Sequence, residues 1–591
     1  LNIYELINEI YSSSIEQHWD NLPDAFYSWN REKLEDGFDL EVFDLAKRAY
    51  EIRIIYRSDR RDCDTKQEYW KCGDASFVPF TDYELQVLNG LDWTRLPHAF
   101  KAHIYDVIWL INHKYEAAKT AAEEYYYLYH EWFDEVNWVQ CVDYISRAVE
   151  LATRIGISDK KEYYLTEVYK DIIRLNGDDA SFLSISLIEL IANQNYHCDF
   201  SILISLVDRV ISNNQESMSK PHVVEQAYYQ KAHLYRKLKD SKTENNVYVQ
   251  YADFLMMGVE NLLKKTKEED VDKRDWFLAE RDIKKAIELF QNHAAPEKAL
   301  DAQKRLVEIQ KEAVKHIPMH EFKYDLSKEY EIFISNYGNH NTKELIWDVI
   351  FAVSFQNKQK IREKITKRSS ILSVLVPRQI LGAEGQTEFV LPALDLSDEN
   401  NILLHMYFRA KEDENIYGQT IGRWFIQLFR KMDLQESDLD LIFENNPIIP
   451  KGQEKDVQRG VYYGLTGHMS DALDKLAPKM ENIIRNLAEM CGDLMTYYDT
   501  KKGIQKRKVL SQVFIGEKLK ECIDENVLFT FDGLLQQKAG SNIRNRIGHG
   551  LNTEDECFSG DCIYFVMIVL KYCAFYCGHF IDEMERHIHN R

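Results

Sequence analysis

The sequence predicts an all-α protein, and three observations carry that expectation. Gly (24) and Pro (11) are sparse over 591 residues, so the chain has few breakers. Apolar residues, 45% of the total, recur at three- and four-residue spacing in block after block, the period of a helix with one buried face. The joints between blocks are short and polar, which suits stacked helix pairs. A chain of this length can form three or four domains or one long repeat array with ample core.

From Asn2 to about Asp74 the pattern is helical but irregular, ending in a charged loop from Arg57 to Asp74, and residues 1–96 form an N-terminal helical region. A helical-repeat region follows at 97–330. Its blocks are Ala102 to Asn112, Tyr115 to Tyr129, Trp138 to Ile155, Lys161 to Leu175 and Ser181 to Ala192. Val223 to Leu238, Asn246 to Lys265, Asp275 to Gln291 and Glu297 to His316 continue the series. Small residues (Ala117, Ala118, Ala121, Ala122, Ala148, Ala152) recur where neighbouring helices would touch. The expected form is an irregular, solenoid-like stack of tetratricopeptide size, without that repeat's signature residues. Abundant Tyr (35) and Phe (28) suit large packed interfaces.

Residues 331–454 read as a helical transition region: a helix from Thr342 to Thr366, a short extended or buried run from Ile371 to Pro377, a loop from Gly382 to Ser397, then three helical blocks. Asn446-Pro447 and Pro450-Lys451-Gly452 mark a boundary, placing the last domain at 455–591. Ser470 to Met495 is amphipathic, with Met480, Ile483, Ile484, Leu487, Cys491 and Leu494 on one stripe. Glu481 and Arg485, one turn apart, can pair on its flank. Two shorter helices (Val509 to Ile523, Asn526 to Gln537), the segment Ser541 to Gly550 and an apolar helix from Asp561 complete a four- or five-helix bundle. The run Ile563 to Phe580 is interrupted by Lys571 and His579 and ends in Asp582-Glu583-Met584-Glu585-Arg586, so it reads as a buried central helix and no membrane is expected.

A net charge of −22 argues against a protein that coats nucleic acid, yet leaves room for a locally basic cleft. Two basic stretches run against the average. Lys358, Lys360, Arg362, Lys364, Lys367 and Arg368 face only Glu363, and Lys501, Lys502, Lys506, Arg507 and Lys508 contain no acid. Each alone reads as a solvated face or loop. The ten cysteines contain no CxxC pair. Cys63 and Cys72 share a polar loop without a second pair to complete a zinc site, and Cys562, Cys573 and Cys577 sit in an apolar helix as small hydrophobes. The sequence opens at Leu1, and LNIYELINEIY has neither a charged n-region nor a cleavage pattern, so a signal peptide is not expected. These readings give a reducing, cytoplasmic setting with no metal and no cofactor.

The compact chemistry lies in Ser541-Asn542-Ile543-Arg544-Asn545-Arg546-Ile547-Gly548-His549-Gly550. An always-charged Arg grips a phosphate, and a His moves protons near neutral pH, which is what phosphodiester chemistry without a metal requires. On an unbroken helix Asn545 and His549 share a face, but Arg544 stands about 140° round from His549. A shared site therefore needs a bent or helix-end backbone, which Gly548 and Gly550 permit. The alternative is that Arg544 and Asn545 cap helices while His549 fills a polar core slot. Arg546 reads as a substrate-side or surface charge, and His587 and His589 as a solvated end.

Arg544-Asn545, three residues, then His549-Gly550 resembles the RNxxxHG motif of a bacterial domain family whose members often follow long helical N-terminal regions. That motif in turn resembles the Arg-x4-6-His signature of the HEPN superfamily (higher eukaryotes and prokaryotes nucleotide-binding). The approach is similar too: Pro478, Glu481 and Arg485 on one helix, then Leu528 to Leu535, then Asn542 to Arg546. The likeness covers the C-terminal bundle well and the N-terminal helices loosely, Arg95 to Ala121 included. It implies a HEPN-like bundle acting as a metal-independent endoribonuclease, active as a homodimer on RNA. The ribose 2′-OH would attack the adjacent phosphate, leaving a cyclic phosphate and a 5′-OH. His549 would exchange protons, Arg544 would steady the phosphorane, and Asn545 would orient His549 or hold a phosphate oxygen. Arg546, Glu481, Arg485, Lys506, Arg507 and Lys508 would bind substrate or support the site. The setting it suggests is a toxin-like effector in bacterial antiphage defence, with the N-terminal helices binding a protein trigger or regulator. The alternative is a non-catalytic helical scaffold whose bundle dimerises, or binds RNA or nucleotide without cutting.

Overall fold

The computed structural model describes residues 2–17, 34–56, 69–71, 79–179, 181–194, 196–215, 221–268, 276–316, 324–368, 370–382, 385–500 and 503–589. The fold is all-α, with three small two-stranded antiparallel sheets among the described residues. Cys63, Cys72, Lys501 and Lys502 lie outside the described residues, as does the loop from Arg57 to Asp74 apart from Tyr69–Lys71. The side chains of Arg368, His587 and His589 do so as well. The chain divides into two compact units, Leu1–Gln310 and Lys311–Arg591.

In the first unit, successive helices pack side by side as a helical stack. The helices His98–Asn112, Tyr115–Glu131, Trp138–Arg154, Ser158–Leu175 and Leu183–Asn193 match the expected blocks within a few residues. Phe200–Gln215 is a further helix that the sequence reading passes over. Ala118, Ala121, Ala122, Ala148 and Ala152 are buried in the shared core, where the small side chains let helices approach. No boundary falls at residue 96. The helix His98–Asn112 gives Ala99 and Ala102 to the core of the stack, and Phe100, Ile104, Val107 and Ile108 to a core shared with residues 3–96.

The second unit is built around the helix Gly560–Phe575, buried along nearly its whole length. Against it pack Thr342–Ala352, Glu399–Tyr417, the π-helical turn Gly418–Gly422, Glu454–Thr466 and Met469–Met490. Glycines permit the closest crossings. A Cβ on Gly418 would collide with the Gly560 carbonyl oxygen, and one on Gly464 would lie 2.5 Å from a Val566 methyl. Lys571, which interrupts the apolar run, donates its ammonium to the carbonyls of Ile350 (2.8 Å) and Val353 (2.6 Å), closing the C-terminal end of another helix. Among the described residues no helix is long and apolar enough to cross a membrane.

Several expectations for this unit need correction. The proposed boundary at Asn446 to Gly452 lies inside the core: the Asn446 carboxamide is buried and donates to the carbonyls of Ile442 (2.9 Å) and Cys573 (2.8 Å). The bundle therefore draws walls from 331–454 as well as 455–591. Thr342 to Thr366 is two helices, Thr342–Ala352 and Lys358–Arg368, because Asn357 caps the second through the Lys360 amide (2.8 Å). Ile371–Leu375 is a short, exposed helix, not an extended or buried run. Within the expected loop Gly382 to Ser397, Thr387–Leu391 pairs with Arg378–Leu381 as a hairpin. Thr496–Asp499 and Ile504–Arg507 form another hairpin, and Val509 to Ile523 breaks into Leu510–Phe514 and Glu517–Cys522.

Candidate active site

The segment carrying the motif is a six-residue helix, Ile543–Gly548, seated on Met469–Met490. Ile543 is fully buried and anchors it. Asn542 enters in the left-handed region (φ 51°), and the amides of Ser541 (3.0 Å) and Asn542 (3.3 Å) both donate to the Gly533 carbonyl. The helix ends at His549 (φ −99°, ψ 0°), and Gly550 follows at φ 65°. The Leu551 amide donates to the Arg546 carbonyl and the Gly550 amide to that of Ile547, both at 3.0 Å. These paired bonds are the Schellman ending, in which the left-handed residue is ordinarily Gly. Gly550 thus ends the helix, but the backbone from Arg544 through His549 stays helical, so this ending does not bring the two side chains into one site. Gly548 stays in the helix, and an added Cβ there would meet nothing, so its flexibility is not used.

The side chains separate into two connected groups. Arg544 donates from Nε to Glu481 (2.6 Å) and from a terminal nitrogen to the Asn545 carboxamide oxygen (3.0 Å). Arg485 donates to the other Glu481 oxygen (2.5 Å), so one carboxylate bridges two guanidiniums with a positive charge left over. Asn545 donates onward to the Asn542 carboxamide oxygen (2.7 Å). The second group lines a cavity of about 640 Å³ that contains Asn545, Arg546 and the exposed His549 but neither Arg544 nor Glu481. The structure brings Arg544, Asn545, Glu481 and Arg485 into one hydrogen-bonded chain, and it places His549 with Asn545 and Arg546 on a cavity that Arg544 does not line.

Lys506, Arg507 and Lys508 do not line this cavity. Lys506 sits on the Ile504–Arg507 strand, paired with Asp499 at 2.7 Å. The basic helix Lys358–Arg368 is no open cationic face either. Arg362 clamps Glu399 with two bonds of 2.7 Å, while Lys358 and Lys364 pair with Glu525 and Asp413, each at 3.2 Å.

Other lining residues come from far away in sequence: Phe389 and Glu388 on the hairpin, Lys411 on Glu399–Tyr417, Lys538 before the motif, Asn552 and Glu556 after it. No spacing signal links Lys411 or the hairpin to the motif, and only the fold assembles them. Among the described residues no group of His, Cys, Asp or Glu is arranged to hold a metal ion.

Beneath the motif lies a buried acid pair. Glu414 (1% exposed) accepts from the Ser541 hydroxyl at 3.1 Å, and Asp561 (2%) accepts from Ser559 at 2.5 Å with Arg546 at 3.9 Å. Burial first, and then the Asp561 charge, push the Glu414 carboxyl from 4.5 up to about 8, against the Ser541 bond and Lys411, which pull it down. The folded state therefore binds this proton more tightly than the unfolded chain. Its contribution to stability is complete below about pH 4.5 and is lost as pH rises through about 8. We expect Glu414→Gln to flatten the melting-temperature profile over that window and to melt higher than wild type above pH 8. Parallel profiles for the two proteins would contradict this assignment.

A family model described as a domain of unknown function (DUF7380) matches residues 68–163. The match lies in the first unit and covers the helices from Asp82–Asn89 to Trp138–Arg154, and it does not reach the motif. No curated protein and no solved structure matches the chain.

Proposed function

We propose that this protein is a metal-independent endoribonuclease of the HEPN type that acts as a homodimer. The observation that carries the reading is the Schellman ending at Gly550. It lifts the exposed His549 imidazole to a cavity with cationic lining, while Asn545 ties that cavity to the Arg544–Glu481–Arg485 cluster. His549 removes the proton of the ribose 2′-OH as that oxygen attacks the adjacent phosphorus; the P–O5′ bond breaks, and the leaving oxygen takes a proton from solvent water, giving a 5′-OH and a 2′,3′-cyclic phosphate. Arg544 stabilises charge on the phosphorane through its planar donor fork. In one chain Arg544 and His549 belong to different groups, so a two-fold pairing of bundles completes the cleft. The likeness to toxin-like effectors suggests antiphage defence as the setting, with the N-terminal stack receiving the trigger.

The grip of Glu481 on Arg544 favours a second reading, in which that guanidinium is a structural lock and the bundle binds RNA without cutting it. Sequencing of RNA ends after induced expression separates the two. The nuclease reading expects new cyclic-phosphate ends with wild type and none with His549→Ala. Identical end profiles overturn it.

A further inference from the structure

The cavity beside the motif holds more than the motif explains. Its volume, about 640 Å³, falls in the range that encloses a small ligand, and its walls combine three kinds of group. Lys411 and Lys538 line it, and neither forms an ion pair among the described residues. Two cations without an ion pair on one cavity wall are free to take an anion. Phe389, half-buried on the hairpin strand and packed against the apolar cluster of Leu394, Ile402 and Met406, is the aromatic residue of its lining. Polar groups supply the rest. Both polar atoms of the Asn552 carboxamide are buried beside the Cys557 thiol without a well-formed hydrogen bond, and the Glu388 carboxylate stands on the hairpin. An unsatisfied buried amide costs stability unless something bonds to it.

We infer that this cavity is a nucleotide-recognition subsite for the RNA residue next to the scissile bond, selective for guanine. Lys411 and Lys538 take the phosphate, and Phe389 offers a face for stacking. Glu388 accepts from a base edge that presents adjacent N–H donors, as guanine does, and Asn552 completes the polar match. The assignment rests on the ribonuclease reading for its substrate. It adds residues outside the motif, brought in by the hairpin and the Glu399–Tyr417 helix, as the source of sequence preference.

The test is calorimetric titration of the full-length protein with each of the four ribonucleoside 5′-monophosphates and with inorganic phosphate. Guanosine monophosphate is expected to bind about tenfold tighter than the other three and than phosphate. Glu388→Gln should remove that preference. Lys411→Ala and Lys538→Ala should each weaken all four nucleotides about tenfold, and together about a hundredfold, with the melting temperature unchanged, since one lost charge-assisted bond is worth about a factor of ten. Equal binding of the four, preference for another base, phosphate binding as tightly as the nucleotides, or variants that match wild type would each overturn the subsite. The two readings fail separately. RNA cleavage without guanosine selectivity sinks the subsite alone, whereas guanosine selectivity that survives in a protein unable to cleave RNA supports the subsite and sinks the nuclease.

Discussion

Replacing Arg147 by Ala is expected to destabilise the N-terminal unit by about 3–5 kcal/mol, the cost of breaking a buried ion pair by removing one partner. Arg147 and Asp106 are 1% and 0% exposed at their side chains and are joined by two bonds of 2.8 Å. Glu150 takes a third guanidinium donor at 2.9 Å. Around them Tyr56, Tyr125 and Tyr144 pack edge-on or stacked, so water cannot replace the lost partner. With Arg147 gone, the Asp106 carboxylate is left in an aromatic interior. Arg147→Met combined with Asp106→Leu should recover most of the loss, because it removes both charges and keeps the volume. Chemical denaturation of the three proteins measures this. A single variant within about 1 kcal/mol of wild type would show that the pair does not hold the stack, since that is the scale of an exposed pair.

The second large effect concerns chemistry. His549→Ala is expected to slow RNA cleavage by about 10²–10⁴-fold, the usual contribution of one general acid or base. Arg544→Ala should cost about 10²–10³-fold, the scale of a lost donor to a transition-state oxyanion. Neither should shift the melting temperature by more than a degree or two, because His549 is exposed and the Arg544 side chain is 41% exposed. Single-turnover kinetics on a labelled RNA supply the rates. Full activity in both variants would remove these residues from the site.

The fold class was legible because helical periodicity and scarce breakers are properties of short windows. The apolar run from Ile563 was correctly placed at the centre of a bundle, and Lys571 within it proved to close a neighbouring helix. The domain boundary was not legible. Asn446-Pro447 has the composition of a linker, but the Asn446 carboxamide bonds a carbonyl of the central helix, and local composition says nothing of such long-range partners. The hairpin at Arg378–Leu391 was hidden by Gly385 and Pro392, which read as loop residues, although Gly385 (φ 80°) belongs to the tip that allows the strands to pair. The motif was readable as a segment running to a helix end, but that end turns at Gly550, past His549, and does not bring Arg544 round to it. The separation of Arg544 from the His549 cavity followed from residue spacing, about five residues at 100° each. Lys411, Phe389 and Asn552 could not be read as one cavity, because no window of sequence contains them all.

The chemistry of the cleaved ends decides whether this protein is a metal-independent ribonuclease. Purified protein is incubated in EDTA with an RNA, and with the same RNA carrying a single 2′-deoxy substitution at the cleavage position. The expected products end in 2′,3′-cyclic phosphate and 5′-OH from the RNA, with no cut at the substituted position. Cleavage that needs added divalent metal, leaves a 3′-OH, or proceeds through the deoxy position would contradict it.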